Sequence, residues 1–397
     1  MASFTISGTG CSLGDFVFRN ISFSSDAFKK FLSVKDGDGG LTPGKLVFTE
    51  EFEKYSGIPY ADAIKSISSG KQADTFNLGG PGIVSLINTA QLLHNYDIKV
   101  NFYAAVGKDD IGEKILSIVK KTPVDTSHFF TFDHRSPFTD VLSDPDYDHG
   151  KGERIFINNI GCAWDLKPEH LDDEFFKSNI VVFGGTALVP CIHDKLTSLL
   201  RKAKTNDCFT IVNTVYDFRN EKKNPAQKWP LGETDESYRL IDLLIMDHEE
   251  SLRLSGEKTL EAAIRFFKQK GTGAFIITHG ASSVHGYSSG KAFQKTDHFE
   301  LPVSATVVRE LSENPSLKGD TTGCGDNFAG AVIASLVMQM QDCPDILPSL
   351  QESIAWGVAA GGFACYYVGG TYIEKQKGEK YGKVEKYYRD FKTQINK

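Results

Sequence analysis

The sequence predicts an α/β fold in which helices cover a mostly parallel β-sheet. Short apolar segments rich in β-branched and aromatic residues alternate with amphipathic segments along most of the 397 residues, and this alternation is typical of βαβ units. No internal repeat, low-complexity tract or linker divides the chain. Residues 1–397 are therefore expected to form a single domain.

The predicted elements follow one another in a regular order. A first strand at 4–7 is followed by more strand sequence at 16–18, and the glycine-rich stretch 79–82 opens a helix at 83–93. The strand after that helix is expected at 100–106. Further strands are predicted at 179–183, 209–213, 240–246 and 274–278, and further helices at 194–203 and 260–270.

Two segments do not fit the alternation. Residues 24–75 contain turn-rich sequences and are longer than a simple connection requires. Residues 128–160 alternate apolar and polar side chains around a turn rich in Asp and Gly, which is typical of strands outside the main sheet. Parts of 16–75 and 128–160 are predicted to form a small β-sheet lid.

Composition and charge favour a small-molecule substrate. The hydrophobic content of 40% and charged content of 24% are ordinary for a globular protein. A net charge of −7 argues against a nucleic-acid partner or an anionic membrane surface. No stretch approaches 18 apolar residues, so no membrane span is expected.

The cysteines and the N-terminus predict a cytoplasmic protein. The seven cysteines are odd in number and scattered, with no Cys-x-x-Cys pair, which suits reduced thiols. The N-terminal residues lack a basic segment followed by an apolar run, so no secretory signal is expected.

The stretch 319–328 indicates phosphoryl transfer. The small residues Gly323, Cys324 and Gly325 open an apolar helix, where backbone N–H groups are unpaired and favour negative charge. Asp326 in the first turn would repel an anion that merely rests there. The combination fits a loop that holds charge developing on a phosphoryl group while Asp326 takes a proton from an attacking hydroxyl. A helix start lowers the pKa of a thiol and could make Cys324 reactive, but the small size of cysteine is the favoured explanation of its position between two glycines.

Other catalytic motifs are incomplete. Residues 39–45 match most of a phosphate-binding P-loop, but Leu46 replaces the Ser or Thr that would bind magnesium. The glycines at 8–14 are followed by strand instead of helix, which disfavours a dinucleotide site. No zinc-type histidine spacing and no serine nucleophile elbow is present in the sequence.

Two ordered motifs resemble those of the ribokinase-like carbohydrate kinases, the PfkB family. The stretch 319–328 resembles the C-terminal signature of that family, Asp-Thr-x-Gly-x-Gly-Asp, and Gly79-Gly80 with 102–112 resembles its N-terminal signature. Elements at 124–127, 152–154 and 359–370 also fall in the family's order, so the resemblance runs from about residue 4 to residue 375. It implies a three-layer α/β/α ribokinase-like core with a small β-lid.

The resemblance assigns catalytic and metal-binding roles. It makes Asp326 the catalytic base and the amides of Gly323, Cys324 and Gly325 the anion hole. It places Asp320 near the magnesium shell. Asp247-x-x-Glu250 resembles the family's Asn-x-x-Glu metal and phosphate motif, with Asp in place of Asn. Taken alone, this pair would better suit an acidic helix start, and it becomes a magnesium-site candidate only together with the other motifs.

The resemblance also implies ligand contacts. The expected ligands are ATP and Mg²⁺, and a requirement for a monovalent cation such as K⁺ stays open. The expected ATP contacts are Thr278, Gly280, Thr321, Gly323 and Gly325. The expected acceptor contacts are Asp15, Gly79, Gly80 and Asp326.

Departures from the family pattern leave the acceptor open. The asparagine that usually follows Gly-Gly is absent from 81–85. Residues 215–219 loosely resemble fructokinase-type members, whereas the long 24–75 segment is more like adenosine kinase. We therefore expect a kinase for a sugar or sugar-like alcohol, with a nucleoside kinase or a catalytically silent binding relative as alternatives. Lid strands with an open edge suggest a homodimer.

Overall fold

The computed structural model describes residues 4–35, 37–150, 152–319 and 321–396. Within these ranges the strands are β1 (Phe4–Gly10), β2 (Leu13–Phe18), β3 (Leu46–Phe48), β4 (Thr75–Gly79), β5 (Ile98–Gly107), β6 (Phe129–Phe132), β7 (Phe138–Asp144), β8 (Glu153–Asn159), β9 (Ile180–Gly184), β10 (Phe209–Asn213), β11 (Leu243–Asp247), β12 (Ala274–His279), β13 (Ser283–Ser288) and β14 (Thr296–Pro302).

The helices of the same ranges are α1 (Asp26–Lys29), α2 (Thr49–Ser56), α3 (Tyr60–Ile67), α4 (Pro81–Leu92), α5 (Asp110–Val119), α6 (Tyr147–Gly150), α7 (Pro190–His193), α8 (Leu196–Thr205), α9 (Phe218–Lys223), α10 (Glu236–Leu240), α11 (His248–Ser255), α12 (Leu260–Lys270), α13 (Ala305–Glu313), α14 (Cys324–Asp342), α15 (Leu350–Ala364) and α16 (Glu379–Ile395).

The main sheet has the strand order β14-β13-β12-β11-β10-β9-β1-β5-β6. Pairing is parallel from β12 to β6, and β13 and β14 add an antiparallel edge. This confirms the predicted mostly parallel sheet. The strand predicted at 240–246 begins later, at Leu243, because residues 236–240 form the short helix α10.

Alternating strand residues bury both faces of this sheet. On β11, Leu243 and Ile245 belong to the apolar cluster that contains Val332 of α14, whereas Leu244 and Met246 belong to the cluster on the opposite face. Successive side chains of a strand point to opposite faces, so an apolar run of this kind needs helices on both. The chain therefore forms the predicted three layers.

A second, five-stranded sheet has the order β3-β8-β7-β2-β4. It draws on both segments predicted to form the lid. One strand of the 128–160 segment, β6, joins the main sheet instead, where Ala104 of β5 pairs with Phe129. We call the five-stranded sheet the lid.

Helices α4 and α14 pack closely beneath the junction of the two sheets. A Cβ atom at Gly330 would lie 2.2 Å from the Ser85 carbonyl oxygen, so the crossing needs a glycine there. Thr89 donates to the Gly330 carbonyl oxygen at 2.9 Å. These contacts hold α4 against the first two turns of α14. In the part of the chain that the structure describes, no helix is long and apolar enough to cross a bilayer.

Candidate active site

The candidate site lies at the carboxyl ends of the parallel strands. Strand register sets Gly10 opposite Gly184 and Asp247 opposite Thr278, so β1, β9, β11 and β12 end at one edge of the sheet. Ligands of open α/β sheets bind in the crevice outside this edge. The loops that follow these strands and the start of α14 border the crevice.

The start of α14 provides amides that can receive an anion. Gly323 precedes the helix with φ 75°, and a Cβ atom there would lie 2.4 Å from the Gly370 Cα, so only glycine fits. The Cys324 amide makes one long bond, 3.4 Å, to the Thr321 carbonyl oxygen. A Cβ atom at Gly325 would meet no atom of the described residues within 4 Å. Open space therefore lies over the first turn, where unpaired N–H groups and the helix dipole favour negative charge.

Asp326 stands in that first turn as a half-buried carboxylate. Burial raises its pKa to about 7. No hydrogen bond to its side chain is found among the described residues. A carboxylate with a pKa near 7 is matched to general-base chemistry at neutral pH. A raised pKa suits the role of catalytic base, which stays a prediction for Asp326.

The carboxylates of Asp15 and Asp326 both lie close enough to Cys11 to raise the pKa of its thiol. Burial raises the pKa of Cys11 well above its usual value, and the nearby carboxylates of Asp15 and Asp326 raise it further. Cys11 lies in the turn between β1 and β2, and Asp15 lies on β2. The two carboxylates predicted to hold the acceptor and its reacting hydroxyl therefore flank one part of the crevice.

Gly79 and Gly80 allow this approach. A Cβ atom at Gly79 would lie 2.0 Å from the Asp15 Oδ2. Gly80 has φ 105°, and a Cβ atom there would lie 2.6 Å from the Cys11 carbonyl oxygen. The pair is needed because side chains would fill the space that Asp15 and the β1–β2 turn occupy. The structure brings together all four predicted acceptor contacts.

Asp247 and Glu250 form a capping box at the start of α11. The Asp247 Oδ1 accepts from the Glu250 amide at 2.8 Å, and the Glu250 Oε2 accepts from the Asp247 amide at 3.0 Å. Thr214 also donates to the Glu250 Oε2, at 2.6 Å. The motif therefore caps the start of α11, as the acidic helix-start interpretation predicts.

Glu250 also has the environment of a cation site. Burial, followed by the nearby charge of Asp247, raises its pKa to about 8, and Asp326 adds to the effect. A cation bound beside Glu250 would relieve the repulsion between these charges. Asp320 lies outside the described residues. Among those that are described, no three carboxylate, histidine or cysteine side chains converge as a ready metal site.

Thr278 and Gly280 lie on the far side of Asp247 from the lid, at the end of β12. Asp247 and Thr278 are register partners, and Gly280 has φ 53° with open space around it. His248 stacks on His279 with ring centroids 4.3 Å apart. This exposed corner is the predicted nucleotide end of the crevice.

Arg154 connects the lid to the catalytic loop. From β8, its Nη1 donates to the Thr322 Oγ1 at 2.9 Å and its Nη2 to the Thr321 Oγ1 at 3.4 Å. The sequence motif at 152–154 gave this arginine no role. The sequence around Arg154 carries no signal of a functional role, because arginine is common in strands and this contact forms only where the lid packs against the catalytic loop. The structure adds it to the site.

A polar row crosses the face of the lid that looks towards the catalytic loop. Strand register places Asn77, Asp15, Thr139 and Asn158 side by side. Register partners share a face, and Arg154 lies on the same face because it is four residues from Asn158 on β8. Its contact with Thr322 therefore fixes this face as the inner one.

An apolar row lies next to the polar row. Val17, Val141 and Phe156 are register partners two residues further along the same three strands. The inner face of the lid thus offers hydrogen-bonding groups nearest the β1–β2 turn and an apolar strip beside them.

Unused polar atoms lie at one end of the polar row. A small cavity is lined by Ser12, Asn158 and Asn159 among others. The Ser12 Oγ, Asn158 Oδ1 and Asn159 Oδ1 are buried and have no partner among the described residues. Buried polar atoms are normally paired, so these three are available to a ligand or water.

The site geometry fits a phosphotransferase with a lid, and the comparisons with known proteins give the class. The model of the pfkB family carbohydrate kinases matches residues 58–377. The chain belongs to this family, which confirms the predicted kinase class.

Solved structures confirm the ribokinase-like fold. An adenosine kinase from Schistosoma mansoni in complex with 2-fluoroadenosine has a TM-score of 0.69 at 16% identity, covering 93% of this chain and 97% of that one. A ribokinase from Thermotoga maritima has a TM-score of 0.61 at 17% identity, covering 97% and 99%. A putative ribokinase II from E. coli in complex with ATP and Mg²⁺ has a TM-score of 0.64 at 16% identity, covering 97% and 99%.

Proposed function

We propose that the protein transfers the γ-phosphoryl group of magnesium-bound ATP to an alcohol group of a sugar or sugar-like acceptor. The observation that carries this proposal is Asp326, a carboxylate with a pKa of about 7 in the first turn of α14. It stands beside amides that face open space, and its charge reaches Cys11 together with that of Asp15.

On the acceptor side, Asp15 binds hydroxyl groups and Asp326 removes the proton of the attacking one. The proton moves to a carboxylate whose pKa is near the working pH, which favours transfer in the transition state. The oxygen then attacks the γ-phosphorus in line while the bond to the ADP oxygen breaks. The ADP leaves with the electron pair of that bond.

On the phosphate side, the amides of 323–325 hold the charge that develops on the transferring group. Arg154 adds a positive charge from the lid, and its bonds to Thr321 and Thr322 place it beside those amides. A docked lid also excludes water that would otherwise hydrolyse ATP.

Arg154→Met is expected to lower kcat by about tenfold or more, because it removes a charge aimed at the phosphoryl group. Arg154→Lys should give an intermediate value, since lysine keeps the charge and loses the two-pronged geometry. Steady-state kinetics at saturating ATP measures both. Equal rates for Arg154→Met and the wild type would mean that the contact only anchors the lid.

Magnesium would be held by Glu250, Asp247 and Asp320 together with phosphate oxygens and water. The donor set fits in kind, because Mg²⁺ takes oxygen ligands from carboxylates, phosphates and water, and one or two of these carboxylates would suffice. When bound, the ion neutralises charge on the phosphates. The contribution of the chain is the buried carboxylate of Glu250, which Asp247 and Thr214 hold in place.

Glu250→Gln tests this assignment with the helix cap kept. A glutamine can still accept from the Asp247 amide and carries no charge to bury, so the melting temperature should hold or rise. The Mg²⁺ concentration for half-maximal rate should rise about tenfold or more, because the charge is lost. An unchanged Mg²⁺ dependence would restrict Glu250 to its capping role. Replacing K⁺ by Na⁺ in the same assay tests the monovalent-cation requirement.

Cys324→Ala is expected to keep kcat within about threefold of the wild type, because the backbone amide and not the thiol faces the phosphate. The Cys324 Sγ lies 3.5 Å from the Cys365 Sγ, on the side of the loop towards α15. Cys365→Ala is the matched control. A loss of activity confined to Cys324→Ala would show that the thiol takes part in the reaction.

A nucleoside is the second candidate acceptor. The specific observation that favours it is the apolar row beside the polar row, since a flat base could lie on Val17 and Phe156 while its sugar meets Asp15. The polar row without the apolar row would suit a sugar. The lid therefore accommodates either class.

A screen of acceptors separates the two. Release of ADP is measured with hexoses, pentoses, sugar acids, polyols and nucleosides, with Asp326→Asn as the background control. Turnover with sugars and none with nucleosides supports the first proposal, and the reverse supports the second. Turnover with neither by a folded protein would favour the silent binding relative.

Self-association through the lid is part of the proposal. Strands β3 and β4 are the two edges of the lid, and each pairs on one side only. Such edges can pair with a second copy. Light scattering during size-exclusion chromatography gives the mass, and a monomer at all concentrations would refute a stable dimer.

A further inference from the structure

Lys380 is a buried cation that the catalytic scheme does not use. It lies in the first turn of α16 with 1% of its surface exposed. Its Nζ donates to the Asn327 Oδ1 at 2.7 Å, and no carboxylate forms an ion pair with it among the described residues. Burial lowers its pKa to about 7, although the charge of Glu374, whose Oε1 accepts from the Lys380 backbone amide at 2.8 Å, acts in the opposite direction. Lysine is rarely buried without a charged partner, since removing the ammonium from water is costly.

Its partner, Asn327, directly follows Asp326. The Asn327 Nδ2 donates to the Gly323 carbonyl oxygen and to the Gly370 carbonyl oxygen, each at 2.8 Å. The Asn327 carbonyl oxygen accepts from Asn88 of α4. One residue therefore ties together the turn before α14, the loop at Gly370 and the helix on the acceptor side.

The amide of Asn327 can satisfy all its contacts in one orientation only. Its Nδ2 faces two carbonyl oxygens, and its Oδ1 faces the Lys380 ammonium. A flipped amide would set its oxygen against two other oxygens and its NH₂ against a donor. Without Lys380, the Oδ1 would be buried and unpaired, and the preference for the working orientation would weaken.

We propose that Lys380 is a positioning residue for phosphoryl transfer, which acts through Asn327 to hold the turn from Gly323 to Asp326 in its working geometry. This inference rests on the proposed function, because that turn supplies the amides and the base. A small displacement of such groups has a large kinetic effect, about a hundredfold for 1 Å in favourable cases.

A positioning role is distinguished from a purely structural role by a loss of kcat that occurs without a loss of stability. Lys380→Met fills similar volume without a charge to bury. Replacing buried charge by apolar groups is often neutral or stabilising. The relief of the buried charge offsets the cost of leaving the Asn327 Oδ1 unpaired, so we expect Lys380→Met to keep a melting temperature near that of the wild type. We expect it to lower kcat by at least about tenfold, with KM for the acceptor within about threefold of the wild type.

Lys383→Met is the matched control. Lys383 lies one turn further along α16, 46% exposed, and pairs with Glu379. Its substitution should leave kcat and melting temperature near those of the wild type. Wild-type kcat in Lys380→Met would overturn the inference and leave the proposed function intact. A wild-type enzyme that turns over no acceptor would overturn both.

Two further measurements test the route through Asn327. In a double-mutant cycle of Lys380→Met and Asn327→Ala, the double variant should be no slower than the slower single variant. Additive losses would contradict the route. Adding n-propylamine to Lys380→Ala should restore part of kcat and should not help Asn327→Ala. Rescue of neither, with Lys380→Ala folded, would count against a role for the ammonium.

Discussion

Asp326→Asn is expected to lower kcat by at least about a hundredfold while the protein becomes more resistant to heat. Asparagine keeps the shape of the side chain and cannot take the proton of the acceptor. It also removes a charge whose burial is unfavourable, as the pKa of about 7 shows. Asp342→Asn, at the other end of α14, is the matched control and should change neither quantity. A folded Asp326→Asn enzyme with wild-type turnover would exclude the proposed mechanism.

The pH dependence follows from the same carboxylate. The ionised form is the base, so wild-type kcat/KM should rise with pH through about 7 and level off above it. Because the folded pKa lies above the unfolded value of about 3.9, the folded state holds the extra proton between these values, and this contribution to stability is lost as pH rises. The heat-resistance difference between Asp326→Asn and the wild type should therefore be small near pH 4 and largest above pH 7. A difference independent of pH would assign the effect to packing.

The parts of the site that sequence could predict are those whose chemistry is local. The turn before α14 needs small residues and carries a carboxylate within four positions, so its signal is contained in one short stretch. Gly79 and Gly80 also had a local signal, as a Gly-Gly pair before a helix. The reason for them, the approach of Asp15 and Cys11, required the structure.

The parts that sequence could not predict depend on contacts between distant segments. Arg154 reaches Thr322 across 168 positions, and only the docked lid brings them together. Lys380 reaches Asn327 across 53 positions from a helix with no motif. The polar row on the lid depends on strand register, which a sequence with two-residue periodicity does not fix between strands. Strand β6 lies in the lid segment but pairs with β5 of the main sheet, and its own sequence does not indicate that partner.

The local sequence predicts only part of the acceptor-binding side of the site. The asparagine expected after Gly79-Gly80 is absent, and the structure places Pro81 at the start of α4 there. Polar atoms with no partner among the described residues occur instead on Ser12, in the β1–β2 turn, and on Asn158 of the lid. Hydrogen bonds to the acceptor can therefore come from the lid. The lid is therefore proposed to take part in the choice of acceptor, and the screen identifies that acceptor.

Gly325→Ala is expected to lower activity without lowering stability, whereas a variant with a folding defect would lose both. Alanine is favoured over glycine within a helix by about 1 kcal/mol, so the melting temperature should hold or rise. The added methyl group would occupy space that no described residue fills and that the phosphoryl group is proposed to approach. We expect kcat to fall by about a hundredfold, as when one donor of an anion hole is lost.

Gly323→Ala is the paired comparison for Gly325→Ala. Its Cβ atom would lie 2.4 Å from the Gly370 Cα at φ 75°, so this variant should lose both activity and stability. Kinetics and thermal unfolding of the two variants distinguish the cases, because only Gly325→Ala should be stable and inactive. A stable and fully active Gly325→Ala enzyme would mean that the phosphoryl group does not approach the first turn of α14, and the anion hole would then have to lie elsewhere along the crevice.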